Sequence, residues 1–486
     1  MKIYAFAALI LIYLMLIAII FPFTVDDAYI TYTYARNILR GKGPVFNSGE
    51  RVEGFTSPLH ILALLAFPHE RAIIPAGKLI GIISGLALIL YLYRRTDNNW
   101  LIAVLVAMPS FTISSVNGME TMLFTALLSI FLLSRFICIS RAMSMFLIPF
   151  LVFARPEGAF IVLCALITDY LFKRNRGYFL NSMAIFIISS LTLFILRFLL
   201  YGEFLPNTYF AKAGGIMDMH RVAGGFLYIL KFGIKTGFIP FLLFGIHILK
   251  GIKNPVGYRD KWPLIIMVLV YFAVIIYEGG DWIPFSRFII PIVPVLFFLA
   301  FDGLPADRKG VGIIILFLTL QVIVGAYEFS YVKGRQKGYD HAHRYIAEYL
   351  KANFPKDTRV ALMDIGIIKY YSGNPVFDII GLTNKYAARD PDNLTNHIRD
   401  FNPHILVLVS SSSLKDGFSS PFKRDQVIYD SIVQNGEYKF LLERNHFRYL
   451  QGIRIIRFYR RLFRPLSSEG HLEGYYLAVF LKTGGS

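Results

Sequence analysis

Long apolar blocks separated by short polar connections fill the first two thirds of this chain. Runs with few charges cover about eleven stretches: Ile3–Phe21, Ala72–Tyr93, Trp100–Phe111, Met119–Phe136, Met143–Ala154, Ala159–Phe172, Phe179–Tyr201, Phe226–Leu249, Pro263–Tyr277, Phe285–Phe301 and Val311–Tyr327. A helix needs about 20 mostly apolar residues to cross a bilayer core. The pattern therefore predicts an α-helical polytopic membrane protein with about eleven transmembrane helices. The first run is read as an uncleaved helix, because no small-residue cleavage pattern precedes Phe21. Leu59–Phe67, boxed by Pro58 and Pro68, is too short to span and reads as an interfacial or re-entrant segment.

From about Glu328 the long runs stop and shorter patterns alternate. Tyr339–Ala352, Asn393–Asp400 and Gln426–Gln434 read as helical, and Arg359–Met363, Val376–Ile379, His404–Ser410 and Tyr476–Leu481 as strands. Two domains are expected: a membrane domain over 1–327 and a soluble α/β domain over 328–486. Arg454, Arg457, Arg460, Arg461 and Arg464 alternate with apolar residues. That segment reads either as a membrane-surface helix or as one packed on its own domain.

Charge orients the spans. Arg94-Arg95, Arg135 with Arg141, Lys173 to Arg176, Lys250 to Lys261 and Arg308-Lys309 fall at alternate connections. Placing them inside puts the N-terminus in the cytoplasm and the C-terminal domain outside. Asp26, Asp27, Glu50, Glu53, Glu120, Glu157, Glu203, Asp218, Glu278 and Asp281 then all fall on the outer side. The positive-inside rule does not explain that bias, so a site assembled from outer helix ends is expected.

The composition agrees: 55% hydrophobic, 17% charged, and a net charge of +18 carried largely by short loops. No nucleic-acid partner is expected. Cys138 and Cys164 lie inside apolar runs and form no CxxC, so they do not report a redox compartment. No Walker loop or Rossmann glycine motif stands in a strand–turn–helix context, which gives no basis for direct use of a nucleotide sugar.

The chemistry concentrates where the first span ends, in DDAYITYTYARNILRGKGPVFNSGERVEGFTSPL, Asp26 to Leu59. Carboxylates at a membrane exit are costly and mark a site. Asp26 and Asp27 are candidates for a general base and its helper; the competing reading is a solvated N-cap pair. Arg36 and Arg40 share a helix face and either meet phosphate or pair with Glu50 or Glu53. This stretch resembles the first outer loop of the GT-C glycosyltransferases that use lipid-phosphate sugars. It is most similar to the terminal arabinofuranosyltransferase branch of cell-wall synthesis, and more loosely similar to the aminoarabinose transferases of lipid A.

Further segments carry the same resemblance. Glu53-Gly54 before Pro58 matches one family motif, and Gly118-Met119-Glu120-Thr121 and Arg155-Pro156-Glu157-Gly158 match others. Leu205-Pro206-Asn207-Thr208-Tyr209 with Lys212 matches a fourth, and Gly280-Asp281-Trp282 with Arg287-Phe288 a fifth. The resemblance implies an inverting transferase acting on a polyprenyl- or dolichyl-phosphate sugar. The acceptor would be a cell-envelope glycan, glycolipid or glycoprotein, and membrane lipids would surround the protein. Asp26 and Asp27 would be catalytic. Arg36, Glu53, Glu120, Arg155, Glu157, Asn207, Tyr209, Lys212, Asp281, Trp282 and Arg287 would bind substrate. Purely structural contacts compete for several of these, notably Arg155 with Glu157 and Asp281 with Arg287, while the helix dipole alone suffices for Glu120. Asp364 and Asp378, in Asp-x-Gly and Asp-x-x-Gly-Leu-Thr segments, read as turn chemistry or acceptor contacts. His341 and His343 do not share a helix face, which argues against a metal site there. Some GT-C members use a divalent ion, which leaves one open at Asp26 and Asp27; no other cofactor is implied. A lipid-linked-sugar transporter or flippase and a glycan-binding scaffold are the rival readings.

Overall fold

The computed structural model describes residues 2–96, 98–137, 140–213, 219–281, 285–301, 304, 307–451 and 474–483. Helix α1 spans Lys2–Ile20 and α2 spans Asp26–Leu39, with Asp26 and Asp27 in its first turn. There follow α3 (Pro58–Leu65), α4 (Ile73–Thr96), α5 (Asn99–Ala107), α6 (Pro109–Val116), α7 (Thr121–Phe136), α8 (Arg141–Ala154), α9 (Pro156–Lys173) and α10 (Arg176–Tyr201). The short α11 (Asn207–Ala213) precedes α12 (Met219–Lys235), α13 (Ile239–Lys253), α14 (Trp262–Glu278), α15 (Val293–Phe301) and α16 (Arg308–Tyr339).

Among the described residues, four stretches are long and apolar enough to cross a membrane: Ile3–Ile20, Glu70–Thr96, Arg176–Tyr201 and Arg308–Asn353. There are six if each of two bent pairs counts as one span. The apolar helices Thr121–Phe136, Arg141–Ala154, Trp262–Glu278 and Ile290–Phe301 are shorter. The expected count of about eleven thus requires the shorter helices to cross as well. Helix α10 leaves Ile188, Leu191, Ile195 and Leu199 exposed, an uncovered apolar face that suits lipid.

Two expected straight spans are bent, for local reasons. Trp100–Phe111 breaks at Met108-Pro109, where α5 and α6 meet at 70°; a proline offers no N–H to continue the ladder. Phe226–Leu249 breaks between α12 and α13 at 105°. Gly237 and Phe238 there take positive φ of 60° and 56°, and the helix starts earlier than expected, at Met219. Leu59–Phe67 is largely the eight-residue α3, begun by Pro58 and capped by Ser57 Oγ.

The C-terminal part carries a five-stranded sheet. Strands β1 (Val360–Leu362), β2 (Val376–Asp378), β3 (Ile405–Ser410), β4 (Tyr438–Asn445) and β5 (Tyr476–Lys482) lie in the order β2-β1-β3-β5-β4. β1 runs parallel to β2 and β3, and β5 runs antiparallel to β3 and β4. Four strands were legible from sequence. β4 is additional: its pairing slips between Phe440 and Leu442, which breaks the two-residue alternation by which a strand is recognised. The boundary expected at 327/328 falls inside α16, which runs on through a π-turn, Asp340–Arg344, into α17 (Tyr345–Asn353). The arginine-rich segment Arg454–Arg464 lies outside the described residues.

The sheet domain is built onto the first loop. Helix α18 (Ile365–Ser372) lies against α2. A Cβ at Gly366 would stand 2.0 Å from the Asp26 carbonyl oxygen, so only glycine permits this approach. Tyr29 packs on Tyr370 and Tyr371, and Asn47 holds Lys369 Nζ (2.9 Å) and the Val376 carbonyl (2.7 Å).

Candidate active site

A cavity of about 940 Å³ lies between the start of α2, helices α9, α11 and α14, and the ends of β1 and β2. Asp26, Asp27, Arg155, Glu157, Tyr209, Lys212 and Asp281 all line it. Arg287 lines a small adjoining pocket that also borders Arg155, Glu157 and Glu278. Trp282 lies outside the described residues.

The two adjacent aspartates do different things. Asp26 is buried, and its carboxylate accepts from Gly366 N–H (3.1 Å) and Ile367 N–H (2.7 Å) at the start of α18. Neither acid is the N-cap of α2, which is Val25. The N-cap reading is therefore corrected in kind: Asp26 serves the N-terminus of another helix. Asp27 keeps 23% of its side chain exposed and sits 3.7 Å from Arg287 Nη1. Burial raises its carboxyl above the ordinary value; Arg287 and then Lys212 oppose the rise, while Asp281 and Asp364 add to it. Burial pushes Asp26 up to about 7, against the pull of His343.

Both Asp26 oxygens are engaged by backbone amides. Among the described residues no group of three His, Cys, Asp or Glu could hold a metal ion.

The cations differ in how fully they are matched. Arg155 donates to Glu120 (2.6 Å) and to Glu157 (2.7 Å), so two carboxylates neutralise it. Arg287 is clamped by Asp281 through Nε (2.7 Å) and Nη2 (3.0 Å), leaving its Nη1 side toward Asp27. Lys212 is exposed, and among the described residues no carboxylate lies within ion-pair distance of it. Arg221 also lines the cavity and donates to the Lys212 carbonyl (2.8 Å). Phe160, Val270, Ala273 and Val274 supply an apolar wall from α9 and α14.

Four expected substrate contacts are placed elsewhere. Arg36 donates to the Tyr370 carbonyl (2.5 Å) and lies over the Tyr370 ring, fastening α18 to α2; neither it nor Arg40 meets Glu50 or Glu53. Arg40 pairs with Glu70 at 2.6 Å. Glu53 is buried against Arg197 at 2.9 Å. Glu120 is spent on Arg155 and does not reach the cavity. Asn207 Nδ2 donates to the Gly381 carbonyl (2.6 Å), tying α11 to the sheet domain, while its neighbour Thr208 lines the cavity. Each is a motif residue that also joins two parts of the chain, while Arg36 Nε and Asn207 Oδ1 are left without a hydrogen-bond partner among the described residues.

The sequence reading ranked Glu278 only among the outer acids and gave Arg221 no role, yet both line the cavity. Arg197 is a lone cation within the apolar α10, and that isolation is the signal that could have found it. His343 turns to Asp364 (2.9 Å) while His341 lies against the Tyr449 ring, so the two histidines do diverge.

Residues 331–461 match a family described as a domain of unknown function (DUF8728). No curated protein matches the chain. Among solved structures, ArnT from Cupriavidus metallidurans bound to undecaprenyl phosphate superposes with a TM-score of 0.56 at 12% identity, covering 98% of this chain and 97% of that one. The apo form of the same protein gives 0.55 at 12% identity, covering 97% of this chain and 98% of that one. Likeness at this identity shows the fold alone: the chain shares the architecture of that protein over essentially its whole length.

Proposed function

We propose that this protein is an integral-membrane glycosyltransferase. It moves a monosaccharide from a polyprenyl- or dolichyl-phosphate donor to a hydroxyl of a cell-envelope glycan, glycolipid or glycoprotein on the extracytoplasmic side. One observation carries the reading. A partly exposed carboxylate, Asp27, shares a cavity with the exposed cation Lys212 and an apolar wall, and Arg287 reaches to 3.7 Å from it from the adjoining pocket. The ArnT structure with undecaprenyl phosphate bound supports a lipid phosphate as the partner of such a fold.

The parts suffice for one displacement. The acceptor hydroxyl gives its proton to the Asp27 carboxylate, and its oxygen forms a bond to the sugar's anomeric carbon. The bond from that carbon to the phosphate oxygen breaks, and the electron pair leaves with the lipid phosphate. A single displacement inverts the anomeric centre. Positioned general bases contribute roughly 10²–10⁴-fold. Lys212 and Arg221, with Arg287, face the departing phosphate, where fixed cations in a water-poor site stabilise developing charge. Arg155, neutralised twice, acts as a scaffold that sets Glu157. Asp281 orients Arg287. Tyr209, and Trp282 by its motif, are assigned to the sugar.

The sequence resemblance favours the terminal arabinofuranosyltransferase branch, and hence a pentose. A hexose is the competing donor. Radiolabelled prenyl-phosphate pentoses and hexoses, offered to the protein in proteoliposomes with an acceptor membrane fraction, test the reading. Incorporation of one of them supports it. Vectorial movement of label across the bilayer without incorporation would favour the transporter instead.

A further inference from the structure

The parallel part of the sheet directs its strand ends at the cavity. Asp364 follows β1, Ile380 and Leu382 follow β2, and all three line the wall. Open sheets of this kind bind ligands beyond the carboxyl ends of their strands.

Two acids stand at those ends, and their surroundings separate them. Asp378 is fully buried and builds a turn, accepting from Ile380 N–H (2.9 Å) and from Thr383 N–H (2.8 Å). Asp364 keeps 12% of its side chain exposed. Both of its bonds converge on one oxygen: His343 Nε2 lies 2.9 Å from Oδ2, and the Tyr475 hydroxyl donates to the same atom at 2.8 Å. Among the described residues nothing donates to Oδ1. The carboxylate is thus held through one oxygen, with its second left for a further donor, and the residue lines the cavity.

The grip is built into the fold. His343 lies in the π-turn Asp340–Arg344, a widened helical turn of the kind found at functional sites. Its ring is buried against Tyr339 and His446. Tyr475 immediately precedes β5, so two segments distant from Asp364 in sequence converge on its carboxylate.

The placement also separates two substrates. Lys212, Arg221 and the apolar wall come from α11, α12, α9 and α14, the side suited to a lipid phosphate. Asp27 lines the same cavity as Lys212 and Asp364 and senses the charge of both. In a single displacement the acceptor approaches opposite the leaving phosphate, so a wall built from elements other than those carrying Lys212 and Arg221 suits it, and the strand ends supply one. We propose that Asp364 binds the acceptor by taking a hydrogen bond from one of its hydroxyls at Oδ1, and that His343 and Tyr475 are positioning residues that hold the carboxylate toward the cavity. This rests on the glycosyltransferase reading.

The test uses the full-length protein in proteoliposomes with the prenyl-phosphate sugar that supports incorporation. The acceptor probe is the membrane fraction of the producing organism deleted for this gene, and donor and acceptor are titrated separately. Asp364→Asn is expected to raise the half-saturating acceptor concentration about tenfold while the donor value moves less than twofold. His343→Gln and Tyr475→Phe are expected to raise the acceptor value two- to fivefold, again with the donor value held. Asp364→Glu is the conservative control and should recover part of the loss. Equal shifts for donor and acceptor, or no shift in either, would overturn the assignment. Lack of incorporation by the wild type with every donor would instead overturn the transferase reading on which it rests.

Discussion

Asp26 caps a helix that begins 340 residues further along the chain, its two oxygens accepting the amides of Gly366 and Ile367. The acid at the first membrane exit is therefore also the clasp of the C-terminal domain. Losing a cap costs about 0.5–2 kcal/mol, and forcing a side chain into a close contact costs about 1–3 kcal/mol or more. Asp26→Asn should lower the melting temperature modestly and expose the C-terminal domain to limited proteolysis. Gly366→Ala should do both more strongly. If Asp26→Asn instead abolished transfer at an unchanged melting temperature, Asp26 would have to share the base's role.

Asp27 predicts the acid limb of the pH profile. The base works ionised, and burial raises its carboxyl above the ordinary carboxylate value. Activity should therefore fall as pH drops through that raised value, at a higher pH than an exposed carboxylate would give. Arg287 and Lys212 both oppose the rise, so Lys212→Ala should move the limb to still higher pH. A kcat/KM profile in proteoliposomes checks this; a limb displaced to lower pH in Lys212→Ala would contradict it.

Lys212 and Arg287 should separate by their surroundings. Lys212 is exposed at the cavity, so Lys212→Ala should chiefly weaken donor turnover, by roughly 10–10³-fold, the scale of losing one charge-stabilising donor. Arg287 is clamped by Asp281. Asp281→Asn should therefore mimic part of the Arg287→Ala defect, and the two should not add. Additive losses in the double variant would show that Asp281 acts independently, on the sugar.

Glu53 and Arg197 form a buried pair. Breaking one side leaves an uncompensated charge, at about 3–5 kcal/mol. Glu53→Gln should destabilise the fold strongly, and the double change Glu53→Gln/Arg197→Met should recover much of the loss. A Glu53→Gln protein with a wild-type melting temperature and a raised donor KM would return Glu53 to the substrate.

Much of the site was readable because its chemistry sits in short polar interruptions of apolar helices. The acids and cations at Asp27, Arg155, Glu157, Lys212 and Asp281 stand out against their neighbours, and the fold brings them to one cavity. What could not be read is partnership. Nothing near Asp26 indicates Gly366, and nothing near Glu53 indicates Arg197, because both pairings depend on how distant segments pack. For the same reason the sequence did not show that Arg36, Glu120 and Asn207 also join helices or domains. Local backbone events were hidden for a different reason. The bend at Gly237-Phe238 and the slipped pairing in β4 interrupt the periodicities by which spans and strands are recognised.

The most direct test is transfer from the prenyl-phosphate sugar panel by wild type, Asp27→Asn and Asp26→Asn in parallel proteoliposomes. Incorporation by wild type, a loss of roughly 10²–10⁴-fold in Asp27→Asn, and residual transfer in whatever Asp26→Asn protein remains folded are predicted. Full incorporation by Asp27→Asn would contradict the assignment of the base, and with it the mechanism derived from this cavity.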